Sequence, residues 1–236
     1  MTSLGKLAWG AWIISLLAGS GTAWAQRDSP APGQRQGAAV VPSVIPIFPL
    51  EDATLFPGAS HPFHIFEPRY REMIADALKG DRIIGMATLK PGYEADYDGR
   101  PPIFAIGCAG LITDVEELPD GRFNVMLQGI AKFRISREDP SRRYRLAHIE
   151  VMPETLGDRG MEALGAERRR LKALVTKPGS GSSIPPGIPD EEVVNTLAQY
   201  VPVDPPERQT LLELKDALAR AQALIKLLEA AGPPPR

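Results

Sequence analysis

The segment from Ile45 to Lys79 contains five prolines, and these restrict what this part of the chain can form. Proline fixes φ and lacks a backbone donor, so neither a long helix nor a central strand is compatible with the segment before the last proline. Short, edge-like strands joined by bends are therefore predicted. The prolines are Pro46, Pro49, Pro57, Pro62 and Pro68.

A helix is predicted to begin at Pro68 and to end before Gly80. Proline suits the first helical turn, where its missing N–H would be unpaired anyway, and glycine suits the position just past the end. Apolar residues between them recur at spacings of three and four, which is typical of a helix with one buried face. They are Tyr70, Met73, Ile74, Ala77 and Leu78.

The following stretch reads as a series of short strands. Pro119-Asp120-Gly121 predicts a tight turn, because proline presets the first corner and glycine accepts positive φ. Gly107 and Gly110 indicate a bulge or a close backbone approach, and Gly129 is expected to end a strand. With the first helix, this predicts an α+β fold around a compact, largely antiparallel, barrel-like sheet. The predicted strands are 82–89, 103–115, 123–127, 132–137 and 146–152.

From Met161 onward the apolar spacing becomes helical. Asp190 is expected to cap a short helix that runs through Tyr200. Asp204, followed by two prolines and Glu207, predicts the start of another helix, whose apolar stripe continues to Leu228 as one element. These helices form the predicted C-terminal bundle.

The first 25 residues have the pattern of a secretory signal. Lys6 precedes an apolar run of about 12 residues, which is shorter than the roughly 20 that a membrane-spanning helix needs, and Ala23-Trp24-Ala25 resembles a cleavage site. Cleavage after Ala25 and a periplasmic or secreted location are predicted. An uncleaved anchor, or a cytoplasmic protein with a misassigned start codon, are the alternatives.

The resulting domain prediction has five parts. Residues 26–43 and the loop at 176–190 are rich in Pro, Gly, Gln or Ser and lack periodicity, which is typical of flexible spacers. The parts are a signal peptide (1–25), a flexible spacer (26–43), a β domain (44–155), a helical subdomain that contains the loop 176–190 (156–231), and a tail (232–236).

Composition limits the chemistry available to this chain. Its 236 residues carry a formal net charge of −2, so no overall basic field favours nucleic acid. His61 and His64 lie three apart on a predicted strand and should face opposite ways, so with one further histidine and the lone Cys108 neither a metal site nor any cofactor is expected. Cys108 lies in an apolar strand, where a lone cysteine is usually a small buried hydrophobe. The motifs G-x-S-x-G and H-E-x-x-H are absent from the sequence.

Several motifs closely resemble the N-terminal substrate-binding domain of the Lon proteases. They are P-I-F-P-L at 46–50, L-F-P-G at 55–58, H-I-F-E-P-R-Y-R-E-M-I at 64–74, P-D-G-R at 119–122 and Y-R-L-A at 144–147. Together with 202–204 and 207–213, the resemblance covers residues 44–230. It implies a PUA-like β pseudo-barrel with one inserted helix, followed by a helical bundle, that helps to recognise protein substrates.

The chain departs from full-length Lon proteases in two ways. It ends where their ATPase and protease domains would begin, and no G-x-x-x-x-G-K-[ST] phosphate loop occurs in it, so ATP hydrolysis is not expected. Its signal-like start is also atypical, because Lon proteins generally act inside the cell.

The candidate contacts lie around the first turn and the second strand. Leu55-Phe56-Pro57-Gly58 places a large aromatic next to a tight turn, where an apolar groove can hold an unfolded segment. The alternative is that Phe56 and Phe66 fill the core. The predicted substrate-binding residues are Leu55, Phe56, Pro57, Phe63 and Phe66. The family-motif residues with predicted structural roles are Gly58, Glu67, Pro68, Arg69, Tyr70, Gly107 and Gly121.

The expected function is non-catalytic binding of unfolded or partly folded protein segments, in cooperation with a separate protease or chaperone. A nucleic-acid-binding PUA-like module is the second hypothesis, because Arg142, Arg143 and Arg145, and separately Arg168 to Arg170, form basic clusters. A solvated face is the favoured explanation of these clusters, since acids lie adjacent and interleaved aromatics are absent. A peptidase with an unrecognised site is the third hypothesis. The sequence does not define the oligomeric state.

Overall fold

A computed structural model describes residues 40–93, 99–175 and 187–231. Six strands are followed by four of the five helices, and one helix lies between the second and third strands. The strands are β1 (Val44–Leu50), β2 (Ser60–Ile65), β3 (Ile83–Thr88), β4 (Ile106–Glu117), β5 (Phe123–Asp139) and β6 (Arg145–Met152). The helices are α1 (Pro68–Lys79), α2 (Asp158–Val175), α3 (Asp190–Tyr200), α4 (Pro205–Glu213) and α5 (Ala217–Ala231).

The six strands form one sheet that closes on itself. Its order is β2-β5-β4-β3-β1-β6, and β5 also pairs with β6, so five strands make a ring and β2 is added outside it. β1 and β3 are parallel, with Ile47 opposite Gly85, and every other pair is antiparallel. The predicted α+β fold with a largely antiparallel, barrel-like sheet is confirmed.

The predicted break at Gly129 is wrong, because β5 continues through it for 17 residues. The register against β4 shifts there: Ala109 faces Ala131, whereas Gly110 faces Gly129. The extra residue on β5 is a bulge, which bends a strand without ending it. The bend lets one half of β5 pair with β2 and the other half with β6.

Small residues leave the barrel interior just wide enough for one phenyl ring. Phe133 is fully buried there with isoleucines from β1 and β6. A Cβ on Gly107 would lie 2.6 Å from Phe133 Cζ and 2.2 Å from the Met86 carbonyl oxygen, so the predicted close backbone approach at Gly107 is confirmed. Gly121 has φ +76°, as the predicted turn requires.

The first helix matches its prediction in both bounds and buried face. α1 runs from Pro68 to Lys79, and it buries Tyr70, Met73, Ile74 and Ala77 against the outside of the barrel. The bounds and the buried face follow from proline at the first turn and from apolar spacing near 3.6 residues.

The C-terminal helices differ from the prediction at two points. Asp190 is the first helical residue of α3, after Pro189 as N-cap. The predicted single helix from Pro205 to Leu228 is divided, because Leu214 leaves helical geometry at φ −57° and ψ 147°. A new helix starts when Asp216 Oδ1 accepts the Ala219 amide at 2.8 Å, which is a side-chain N-cap. Asp204 occupies the predicted N-cap position of α4 without a side-chain cap hydrogen bond.

The predicted signal peptide, almost all of the spacer, most of the 176–190 loop and the tail lie outside the described residues. Within the described ranges, no helix has the length and apolar character needed to cross a membrane.

Candidate functional site

The first half of the turn at residues 55–58 is buried, contrary to the expectation of an exposed contact, while Pro57 and Gly58 are half-buried. Leu55 is 1% exposed and Phe56 is 0% exposed, so neither side chain can present apolar surface to a partner. The alternative interpretation, that Phe56 fills the core, is confirmed. Phe66 is the opposite case, since 60% of it is exposed.

Hydrogen bonds make this turn the joint between the barrel and the helices. The Phe56 amide donates to Gln199 Oε1 at 3.2 Å, and the Pro57 carbonyl accepts from Asn195 Nδ2 at 2.8 Å. On the barrel side, the amide of Gly58, a residue with φ +76°, donates to the Gly129 carbonyl at 2.8 Å. The turn therefore holds α3 against β5.

β2 forms an open edge that carries the exposed aromatic. Among the described strands it pairs only with β5. Phe63 is half-buried and makes an edge-to-face contact with Phe48, with ring centroids 5.7 Å apart. Phe66 follows the strand and stacks near His64 at 6.3 Å, and His64 is hydrogen-bonded to Asn124 at 2.7 Å.

A groove of about 460 Å³ runs between the barrel and the helices. Among the large apolar side chains that line the groove, Val151 is the most exposed, at 45%. We call this feature the barrel–helix groove. Its apolar lining comes from Pro57, Ile130, Val151, Met152, Pro153 and Pro189.

One wall of the barrel–helix groove is acidic. Glu191 and Glu192, from the first turn of α3, line it, and burial raises the pKa of Glu192 above its ordinary value. Glu154 also lines the groove, but its carboxylate is held by Lys132 at 2.8 Å and by Arg220 at 2.7 Å. The groove thus offers apolar surface beside two carboxylates.

Of the predicted binding residues, Pro57 alone lines the groove, while Phe63 and Phe66 lie on β2 and at its end. Val151 was missed by the sequence reasoning. On β6 it shares the inward side of Ala147 and Ile149 by alternation, yet it is exposed because it lies at the strand's end. The apolar alternation of Ala147, Ile149 and Val151 continues to the end of β6, and this pattern could have identified Val151 from the sequence.

The residues of the family motif around Pro68 support the first turn of α1. The Glu67 carbonyl accepts the amides of Tyr70 and Arg71, while its carboxylate pairs with Arg69 Nε at 3.0 Å. The Glu67 side chain makes no cap hydrogen bond to the start of the helix. The Arg69 guanidinium lies 4.7 Å from the centroid of the buried Tyr70 ring.

Cys108 is a buried free cysteine. In the described part of the chain, no set of three or more His, Cys, Asp or Glu side chains could hold a metal ion. Burial raises the pKa of the Cys108 thiol to about 12, so it stays protonated at neutral pH and is a poor nucleophile. The prediction of a buried Cys108 is confirmed.

These features place the protein among small β-barrel domains with a helical extension. Residues 44–230 match the family model of the ATP-dependent protease La (LON) substrate-binding domain. The chain belongs to this family, as the motifs predicted.

Curated relatives are identical to this chain at about a quarter of the aligned positions. It is 25% identical to Lon protease 2 of Myxococcus xanthus over 196 residues and 28% identical to Lon protease of Parabacteroides distasonis over 205 residues. The matches cover 80% and 82% of this chain, but only 24% of either relative. The chain therefore spans about a quarter of the length of these relatives.

Two solved structures have the same fold. The N-terminal domain of a Mycobacterium avium complex Lon protease superimposes with a TM-score of 0.62 at 17% identity, over 79% of this chain and 98% of that one. A Lon N-terminal domain protein from Xanthomonas campestris superimposes with a TM-score of 0.53 at 23% identity, over 81% and 99%.

Proposed function

We propose that this chain recognises protein substrates by binding extended, partly apolar segments in the barrel–helix groove. The observation that carries the proposal is the groove itself, an apolar channel next to an acidic wall. The name of the matched family, a substrate-binding domain, supports a protein or peptide as the ligand.

The geometry suits an extended segment better than a compact small molecule. The groove is open to solvent and lined from β5, β6, the 57–58 turn and the start of α3, so a chain can lie across it. Burial of apolar surface contributes roughly 25 cal/mol per Å². Apolar side chains of the bound segment that cover Val151 and Met152 therefore increase the affinity. The carboxylates of Glu191 and Glu192 add a preference for a positively charged residue in the segment.

A pair of matched variants tests the site. Val151→Asp places a charge on the apolar lining, whereas Met161→Asp makes the same change at a 43% exposed methionine on α2. We expect Val151→Asp to weaken the binding of fluorescently labelled, carboxymethylated casein about tenfold by anisotropy, and Met161→Asp to leave it unchanged. Equal affinities for both variants, with both folded by circular dichroism, would reject the groove as the site.

The chain is further proposed to bind without catalysis of its own. The absence of a phosphate-loop motif from the sequence and the buried, protonated Cys108 support this. Purified protein is expected to show no ATP hydrolysis and no cleavage of casein. Activity that co-elutes with the protein through successive chromatographic steps would overturn the proposal.

Export is a separate proposal that rests on the pattern in residues 1–25 alone. We propose cleavage after Ala25 and a periplasmic or secreted product that meets its protein ligands and a separate protease or chaperone there. Intact mass measurement after cell fractionation checks this. A cytoplasmic product that begins at Met1 would contradict it.

A further inference from the structure

Glu192 carries a carboxylate that is partly withdrawn from water without a partner to compensate for it. The residue belongs to the first turn of α3, lines the barrel–helix groove and is half-buried. Burial raises the pKa of its carboxyl, and within the described ranges no ion pair or hydrogen bond offsets that effect. A desolvated, unpaired carboxylate in a groove costs free energy in the empty protein and is typical of a binding site.

The 57–58 turn fixes the position of this side chain. A Cβ on Gly58 would lie 3.4 Å from Glu192 Cγ, so the stem of the glutamate packs directly on the glycine backbone. The Gly58 amide is itself held by the Gly129 carbonyl of β5 at 2.8 Å. Because the stem is held in this way, the carboxylate loses little freedom when a ligand binds to it.

Two other acids around the groove are already neutralised by cations of the protein. Glu154 is paired with Lys132 at 2.8 Å, and Asp190, at the start of α3, is paired with Arg168. A cation that enters the groove therefore does not have to displace an internal partner from Glu192.

We propose that Glu192 makes the groove select protein segments in which a lysine or arginine lies between apolar residues. This inference rests on the proposed function, since it concerns the segment that the groove binds. The cationic end pairs with the Glu192 carboxylate, while its aliphatic stem and the flanking apolar side chains cover Val151 and Met152. The groove volume of about 460 Å³ is within the roughly 300–1,000 Å³ of ligand sites, so a long basic side chain can enter.

Three short peptides test this selection. They are acetylated and amidated, carry the same uncharged fluorescent label, and differ only in a central Lys, Gln or Glu between apolar residues. At pH 8, the wild type is expected to bind the Lys peptide about fivefold more tightly than the Gln peptide, and to bind the Glu peptide most weakly. Equal affinities for the Lys and Gln peptides in anisotropy titrations would overturn the inference.

Three variants assign the selection to one carboxylate. Glu192→Gln should bind the Lys and Gln peptides with equal affinity, whereas Glu192→Asp keeps the charge and should retain about a twofold preference for Lys. Glu162→Gln, the same amide substitution at an exposed position of α2, should keep the full preference. With all variants folded by circular dichroism, a preference that persists in Glu192→Gln or is absent from Glu192→Asp would contradict the inference.

The preference for the Lys peptide should also depend on pH. Because the pKa of Glu192 is raised above its ordinary value of 4.5, its negative charge is lost as pH falls towards that value. The other titratable side chains that line the groove are Glu191, Glu154 and Lys132, and the 57–58 turn adds none. The preference is expected to decrease between pH 8 and pH 4.5, and a constant preference over this range would contradict the inference.

Failure of the selection and failure of the proposed function give different results. If Val151→Asp weakens binding of the Gln peptide but the wild type does not prefer the Lys peptide, the groove remains the site and the selection by Glu192 is wrong. If Val151→Asp and the wild type bind the Gln peptide equally, the groove is rejected as the site, and the selection is rejected with it.

Discussion

The guanidinium of Arg220 and the carboxylate of Glu154 form a two-point ion pair, with nitrogen–oxygen distances of 2.7 and 3.2 Å. Arg220 belongs to α5 and Glu154 follows β6, so the pair joins the helices to the barrel. The same carboxylate accepts Lys132 from β5, and Arg220 also donates to Asn195 and lies 5.3 Å from the centroid of the Phe56 ring. One partly exposed acid, which lines the groove, thus balances two buried cations.

Glu154→Gln is expected to destabilise the protein by about 3–5 kcal/mol, because it leaves Lys132 and Arg220 charged and uncompensated at about 1% and 0% side-chain exposure. Urea unfolding followed by circular dichroism measures the change. Glu150→Gln, the same substitution at an exposed position of β6, is the control and should cost less than about 0.5 kcal/mol. Equal effects of the two variants would show that the ion pair does not join the barrel to the helices.

Gly129→Ala is expected to destabilise the protein by at least about 2 kcal/mol, since the added methyl would lie 2.1 Å from the Phe56 carbonyl oxygen and force the backbone apart. Gly157→Ala is the control, because a Cβ there meets nothing within 4 Å. Thermal melting compares the two. An unchanged Tm for Gly129→Ala would mean that the 55–58 turn is not held against β5.

The hydrogen bond from Tyr144 Oη to Asp76 Oδ2, at 3.0 Å, predicts two pH effects. Hydrogen bonds from Lys79 and then Tyr144 lower the pKa of Asp76. The stability that the ionised Asp76 carboxylate contributes is therefore present above its ordinary pKa of 3.8 and is lost as pH falls below that value. Burial, and then Asp76, raises the pKa of Tyr144 to about 12, so stability falls as pH rises from 10 to 12.

Unfolding free energies across pH check both effects. The stability difference between wild type and Asp76→Asn should shrink as pH falls below about 4, and the difference between wild type and Tyr144→Phe should shrink as pH rises above about 10. Differences that stay constant across the whole pH range would contradict the assigned pKa shifts.

Phe66, just after β2, stays a predicted substrate contact and is not among the residues that line the groove. Phe66→Ala should weaken casein binding about five- to tenfold, as truncation of an interfacial aromatic does, while Tm changes by no more than about 1 °C because the ring is 60% exposed. Tyr93→Ala, at a 44% exposed aromatic, is the control. Unaltered binding by Phe66→Ala would restrict the contact surface to the groove.

Phe56→Ala is unsuitable as a test of substrate contact, since loss of a fully buried ring costs about 3–5 kcal/mol of stability.

Local chemistry allowed several elements to be predicted from the sequence. The bounds of α1 follow from Pro68 and Gly80, its buried face from the spacing of Tyr70, Met73 and Ala77, and the turn at Gly121 from proline and glycine at their usual positions. Each of these patterns depends on residues only a few positions apart, so contacts with distant parts of the chain do not change the structure that it predicts. The family resemblance rested on the same motifs.

The errors have a common physical origin in contacts between distant parts of the chain. β5 does not end at Gly129 because the bulge there is paired on both sides, and the predicted long helix ends at Glu213 because the Leu214 carbonyl accepts Lys132 from the barrel. Phe56 is buried because Arg220 and Gln199 come from more than 140 residues away.

The sequence by itself determined the bounds of α1, the location of most strands, the barrel-like sheet and the family, because short-range propensities and ordered motifs carry that information. Only the tertiary structure decided which apolar residues face solvent. It buried Phe56, exposed Val151, and brought Glu154, Lys132 and Arg220 from separate elements into one ion-pair cluster. Exposure and clustering depend on how separate elements are packed together, and no local pattern in the chain encodes that arrangement.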